Sequence, residues 1–290
     1  MEKKIKIALF SPASLPSPTA YQRGINVLKK NKIPFKSFID FSNPIPSFKA
    51  FLLYELITSE EFEFIWSVRG GFGSIKLIPY LEEIFSENKN INIYSSYLIG
   101  FSDITALHIY FYKKFRKMGI HAPMIVNLPS LSEEALKTLL DVIFKRKDVI
   151  LEGKAYQEGE GEGILLGGNL ITIASLCGTP YFPSERSWIL LIEEINEKRY
   201  RLERAFLQII FTLGIHNIKG IVIGNLGKEN PLEFLKQVKN FLPEKVPIGY
   251  NFSFGHIKKN LPLIIGQRAY LVVKDQKAHL FQKNFGLKTL

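Results

Sequence analysis

With 290 residues, 46% of them hydrophobic and 22% charged, the chain has the composition of a folded protein of one large or two ordinary domains. No apolar run is long enough to cross a bilayer, and the polar start Met1-Glu2-Lys3-Lys4-Ile5 has no signal-peptide core, so a cytoplasmic protein with no membrane partner is expected. A net charge of +11 raises nucleic-acid binding, but Lys and Arg are spread along the whole chain, and runs such as 113–117 and 198–201 suit solvated helix faces, so no nucleic-acid partner is expected.

Residues 4–10 read as a strand by length and β-branched content, ended by the loop Ser11-Pro12-Ala13-Ser14. A helix over 21–30, a short strand near 35–39 and a helix over 48–58 follow, the last with apolar residues at helical spacing. Phe64-Ile65-Trp66-Ser67-Val68 is a strand of the buried type. It runs into Arg69-Gly70-Gly71-Phe72-Gly73-Ser74, whose glycines permit positive φ and close backbone approach. Such a turn can cradle phosphate, bind nothing, or offer N–H groups to an oxyanion. Its G-G-x-G spacing departs from dinucleotide-binding patterns, and no Walker lysine follows.

A helix over 75–85 leads to a second apolar strand and the corner Gly100-Phe101-Ser102-Asp103, then a helix from about 104 to 117 with Gly119 as its stop. A serine on such a corner points away from the sheet over a helix N-terminus, the layout of a nucleophile elbow; Ser and Asp there are also ordinary helix caps. Strands alternating with helices imply a parallel sheet with helices on both faces, and ligands beyond the strands' carboxyl ends, where Gly71 and Ser102 both fall.

A helix over 128–147 closes the first unit, 1–145. The polar, Gly/Glu-rich stretch within 146–163 reads as a linker to a smaller mixed α/β unit, 164–290. That unit opens with a strand, Gly167-Gly168, and Asn169 as a helix cap. Cys177, the only cysteine, excludes an internal disulfide, and its small apolar neighbours suit an inert buried thiol. Strand 188–192 ends in Glu193-Glu194. A helix over 198–213 stops at Gly214. A strand over 218–224, a helix over 231–241, a strand over 246–250, a loop at 252–256 and a β-rich end with a hairpin near 274–277 complete the chain.

A serine nucleophile needs a base, and the base an orienting group. Of five histidines, His108 lies on a different face of the serine's helix, His216 and His279 read as solvated, and His121 as near the site or structural. His256, in a loop with little reason to be buried, is the best candidate base. Successive residues of a strand point to opposite faces, so only one of Glu193 and Glu194 can address it. No His/Asp/Glu cluster has metal-ligand spacing, and neither metal nor cofactor is expected.

Several blocks resemble one family in order. Arg69-Gly70-Gly71-Phe72-Gly73-Ser74 with Leu77-Ile78-Pro79-Tyr80-Leu81 is similar to R-G-G-Y-G-S…L-L-P-Y-L, and Gly100 to Leu107 to G-Y-S-D-I-T-A-L. His121-Ala122-Pro123-Met124 is similar to H-G-P-M. Gly167-Gly168-Asn169-Leu170 with Gly178-Thr179-Pro180-Tyr181 matches the opening of the family's second domain, and 192–204 resembles L-E-E/D-x-x-E…Y-R-I-D-R. The chain thus resembles the LD-carboxypeptidases, serine peptidases that include the microcin C self-immunity hydrolases.

The resemblance implies a flavodoxin-like N-terminal domain carrying the nucleophile Ser102 and a C-terminal domain carrying Glu193 and His256. It implies an oxyanion hole of the Gly71 and Asp103 N–H groups, and an active site between the domains. It further implies hydrolysis of a murein tetrapeptide before its terminal D-Ala, a cytoplasmic role in peptidoglycan recycling, and a homodimer. A microcin-type peptidyl-nucleotide amidase and a non-catalytic binding protein of the same fold are the alternatives. Phe72 and Phe101 stand where the family has tyrosines, Ala122 where it has Gly, and Glu203 where it has Asp; none of these is a triad position.

Overall fold

The computed structural model describes residues 7–42, 45–88, 93, 96–184 and 187–283; residues 4–6 of the first expected strand lie outside them. Three short, nearly all-buried apolar runs form β1 (Ile7–Phe10), β3 (Phe64–Ser67) and β4 (Tyr97–Gly100), the pattern of strands covered on both faces. With β2 (Lys36–Ser37) and β5 (Gly119–His121) they make a parallel sheet in the order β5-β4-β3-β1-β2.

Helix α1 (Pro18–Lys30) joins β1 to β2, and α2 (Pro46–Thr58) joins β2 to β3. Helices α3 (Ile78–Glu87) and α4 (Thr105–Phe115) lead to β4 and β5. The step from β1 to β2 runs opposite to the later ones. Right-handed crossovers therefore put α1 on one face and α2, α3 and α4 on the other. Strand order reverses at β1 and β3, the place where such sheets hold ligands.

Helix α4 ends at Phe115, with Arg116 in the left-handed conformation (φ 54°), earlier than the expected stop. Gly119 instead opens β5, where a Cβ would collide with the His108 ring. Helix α5 (Glu133–Lys145) starts later than its apolar periodicity suggested, because Ser132 caps it by accepting from Ala135 N at 3.2 Å.

Within the mixed α/β unit expected, the second sheet is a closed barrel. Its strands are β6 (Val149–Gln157), β7 (Gly159–Asn169), β8 (Trp188–Glu193), β9 (Ile218–Ile223), β10 (Ile248–Tyr250), β12 (Arg268–Lys274) and β13 (Lys277–Gln282), in the order β10-β6-β13-β12-β7-β8-β9. The stretch read as a linker thus holds β6 and the start of β7. Its Gly-Glu alternation is a period-2 strand pattern. A Cβ at Gly161 or Gly163 would collide with the main chain at Lys219 or Ser187, while Glu162 reaches out to Arg268.

Helix α6 (Leu170–Leu176) is capped by Asn169, which accepts from Thr172 N at 3.0 Å. Helices α7 (Arg199–Leu213) and α8 (Pro231–Gln237) follow β8 and β9. Strand β11 (Leu263–Ile265) belongs to neither neighbour in sequence. It returns to the first sheet and pairs antiparallel with the β5 edge, His121 opposite Leu263. Among the described residues, no helix is long and apolar enough to cross a membrane.

Candidate active site

The carboxyl ends of β3 and β4 present the glycine turn and the serine corner side by side. Gly71 (φ 98°) and Gly73 (φ 129°) bend the turn. A Cβ on Gly70 would stand 3.5 Å from Ser102 Cβ, so the turn backbone lies directly against the serine. Ser102 itself has φ 60°, a conformation few non-glycine residues adopt and one that clusters at functional sites. Residues Ser102–Ile104 form a single tight turn leading into α4. The first N–H groups of such a turn have no partner within it, and Asp103 N is one of them.

The side chain of Asp103 holds the two segments together. Its Oδ2 accepts from Ser74 N at 2.8 Å, and Ser74 Oγ donates to its carbonyl. Burial raises the Asp103 pKa, and the hydrogen bonds from Ser74 oppose that shift.

From the barrel side, β8 ends at Glu193, fully buried, with Oε2 3.8 Å from His256 Nε2. That is ion-pair distance, beyond a hydrogen bond. Neither Glu193 oxygen nor His256 Nε2 has a hydrogen-bond partner. Burial, and next the Glu194 charge, push the Glu193 pKa well above the ordinary value; the Ser102 N–H and the Asn169 side chain pull it back. The same carboxyl thus lies beside the His256 ring and is influenced by the Ser102 backbone.

His256 is not the solvated loop residue its surroundings suggested. Only 21% of its side chain is exposed, and its ring lies 4.7 Å from that of Phe101. Burial lowers its pKa to about 4, so at neutral pH it is an uncharged imidazole able to accept a proton. The loop that carries it is tied by Asn225 N to Phe254 O at 3.1 Å and by Gly255 N to Asn260 Oδ1 at 3.1 Å. Gly255 (φ 99°) allows the close pass: a Cβ there would come within 3.1 Å of Glu193 Cβ.

The two adjacent acids have different surroundings. Glu194 accepts from Asn169 Nδ2 at 2.7 Å, Ile171 N at 3.0 Å and Ile195 N at 2.8 Å, which commits it to the β7–α6 corner. Glu193 alone of the pair lies at His256. The structure thus brings Gly70, Ser102 and Asp103 together, and Glu193 with His256; Phe101 and the Ser102 N–H connect the two groups.

Other expected residues fall elsewhere. His108 is buried with Nε2 3.0 Å from Gly100 O, and His216 is exposed. Cys177 is half-buried, and burial raises its pKa. His121, left open by its sequence neighbours, is fully buried between Phe101 and Phe254, with ring centroids 5.7 and 5.9 Å away. Burial, and secondarily His108 and His256, hold its pKa down to about 3.

Two links escaped the sequence reading. Thr105 Oγ1 accepts from Asn169 N at 3.0 Å, joining α4 to the end of β7. Ser14 N donates to Gly70 O at 3.2 Å, joining the first loop to the glycine turn. Small polar residues in loops carry no periodic signal, so only the fold reveals these pairs.

Residues 7–122 match the LD-carboxypeptidase N-terminal domain, and residues 162–271 the LD-carboxypeptidase C-terminal domain. The murein tetrapeptide carboxypeptidase of Pseudomonas aeruginosa is 27% identical over 224 residues, covering 71% of each chain. The muramoyltetrapeptide carboxypeptidase of Oxalobacter formigenes superposes with a TM-score of 0.83 at 23% identity, over 97% of this chain and all of that one. The microcin C7 self-immunity protein MccF does so with a TM-score of 0.80 at 19% identity, over 98% of each chain. Both halves of the molecule thus answer to one description, and the chain belongs to the LD-carboxypeptidase family.

Proposed function

We propose that this chain is a serine LD-carboxypeptidase that releases the terminal D-Ala from a peptidoglycan-derived tetrapeptide. The observation that carries the reading is Glu193, a fully buried acid without a hydrogen-bond partner, lying 3.8 Å from the imidazole of His256 and influenced by the Ser102 N–H. A buried carboxyl in that position costs stability, and orienting a base gives it a role.

In this reading Ser102 Oγ attacks the carbonyl that precedes D-Ala while His256 takes the hydroxyl proton. With Nε2 turned to Glu193, Nδ1 is the nitrogen available to the serine. The oxyanion accepts from Gly71 N and Asp103 N. Collapse breaks the peptide bond, and His256 returns the proton to the departing D-Ala amine. Water, deprotonated by His256, then opens the acyl-enzyme and frees the shortened peptide as its acid. Glu193 holds the ring in both halves.

The cleft between the two sheets would hold the peptide, and a cytoplasmic homodimer recycling wall fragments is the setting we infer. The likeness to MccF supports one further reading, a peptidyl-nucleotide amidase working through the same serine. The test is D-Ala release from a defined L,D-tetrapeptide, with a peptidyl-adenylate assayed beside it. Ser102→Ala is expected to lower turnover by about 10⁴-fold or more while leaving the fold intact. Hydrolysis of only the adenylate would favour the amidase, and a Ser102→Ala protein with full activity would refute the nucleophile.

A further inference from the structure

Helix α2 buries Lys49, Ala50, Leu53, Leu56 and Ile57 along one stripe. A lysine occupies the first position of a face that is otherwise apolar, and it is 8% exposed. It lines a small cavity with Phe10, Leu15, Phe38, Ile39 and Leu52, and with one acid, Asp40, among the described residues. Burial lowers the Lys49 pKa. An ammonium kept in such a place costs stability that a leucine would not.

Its Nζ donates to the main-chain carbonyl of Ala13 at 2.6 Å. Ala13 belongs to the loop after β1, which is also closed by Ser11 Oγ donating to Ser14 O at 3.1 Å. The next residue reaches the glycine turn by several bonds. Ser14 N donates to Gly70 O at 3.2 Å. Its Oγ accepts from Phe72 N at 3.2 Å and donates to Phe72 O at 3.3 Å. Gly71 lies between these clamped residues, so close that a Cβ on it would stand 2.6 Å from Ser14 Oγ. These contacts sit where the strand order reverses.

We propose that Lys49 is a positioning residue for the reaction: it anchors Ala13 and thereby the Ser14 clamp that fixes the direction of the Gly71 N–H. The inference rests on Gly71 as an oxyanion donor, the role proposed above. A turn with three glycines in four positions has wide conformational freedom, and an oxyanion donor must be held before the reaction. Lys49 never touches the substrate. It acts through the Ala13 carbonyl and, one residue on, through the bonds of Ser14 to the glycine turn.

The test compares wild type with Lys49→Met, Lys49→Arg, Ser14→Ala and the double variant Lys49→Met/Ser14→Ala. Two readouts are taken: D-Ala release from an L,D-tetrapeptide, and the acylation burst of Ser102 with p-nitrophenyl acetate. Lys49→Met keeps the stem volume and removes the donor. It is expected to lower kcat about 10- to 100-fold with KM nearly unchanged, because a small misplacement of a catalytic group costs on that order. Lys49→Arg should recover most of the rate, Ser14→Ala should match Lys49→Met, and the double variant should be no slower than the worse single one.

Equal bursts in wild type and Lys49→Met, or losses that multiply in the double variant, would overturn the proposal. Should Lys49→Met fail to fold, Ser14→Ala decides alone: an undiminished burst refutes the clamp. Wild-type protein that gives the burst but releases no D-Ala would reject the tetrapeptide reading and leave the clamp to be judged on the burst. Absence of any burst in wild type would refute the oxyanion site and the clamp together.

Discussion

The seam between α4 and β7 can be tested at Gly168. Its φ is 141°, a region that side chains rarely adopt, and a Cβ there would overlap Thr105 Oγ1 and stand 3.0 Å from Thr105 Cγ2. Thr105 is fully buried and accepts from Asn169 N. Gly168→Ala therefore carries about 1–3 kcal/mol of backbone strain and about 1–3 kcal/mol of overpacking. Together these come to about 2–6 kcal/mol, and at roughly 2–4 °C per kcal/mol for a chain of about this size Tm should fall by about 4–24 °C.

Thr105→Ala alone strands the Asn169 N–H, at about 1–3 kcal/mol. Combined with Gly168→Ala it removes the two atoms that collide. The double variant should then lose less than the two single losses together, by about 1–3 kcal/mol. Urea unfolding followed by circular dichroism measures all four corners of the cycle. An unchanged midpoint for Gly168→Ala, or additivity within about 0.5 kcal/mol, would refute the packing argument.

Other expectations concern charge. Glu193 has a folded pKa above its ordinary 4.5; it thus adds stability below that value and loses it as pH rises through the folded one. Glu193→Gln should raise Tm increasingly as pH climbs above the ordinary 4.5 and leave it unchanged below, while kcat drops about 10⁴-fold; a lower Tm above that pH would count against the buried-charge account. His108, His121 and His256 have folded pKa values of about 4, 3 and 4, below the ordinary 6.5, so their contribution is present above 6.5 and lost as pH falls toward those values. The urea midpoint should decline across that window, with a shallower slope in His121→Leu, and the acid limb of kcat/KM should lie nearer 4 than 6.5. Glu194→Ala strips the acceptor from three donors and should cost about 3 kcal/mol, read by chemical denaturation; a neutral effect would show that water replaces it freely.

What the sequence conveys, it conveys through period and punctuation. Phe64-Ile65-Trp66-Ser67 and Tyr97-Leu98-Ile99-Gly100 read as parallel strands because burial on both faces leaves nearly unbroken apolar runs. The Ser102 corner reads as an elbow because a strand, a small residue and a helix meet there. The stretch 146–163 misleads because its composition is that of a linker while its alternation is that of strands: at Gly153, Gly161 and Gly163 neighbouring main chain approaches too closely for a Cβ. The ordinary preference for glycine points to Gly119 as the helix stop, whereas Arg116 adopts the left-handed cap. His256 looked solvated because burial by Phe101, far away in sequence, leaves no local trace. The separate tasks of Glu193 and Glu194 follow from Asn169 and Ile171, partners that only the folded corner supplies.

Strand β11 has a consequence for how the protein is made. The sheet that carries Ser102 is completed on its β5 side by residues 263–265, more than a hundred positions further along the chain. During synthesis the first half can collapse early, yet its β5 border stays an unpaired, apolar edge until the barrel strands have emerged from the ribosome. The two halves are therefore not sequentially independent folding units. A nascent chain halted before residue 263 should expose an edge that invites chaperones or self-association, and the serine sheet and the barrel should gain their final protection from hydrogen exchange together.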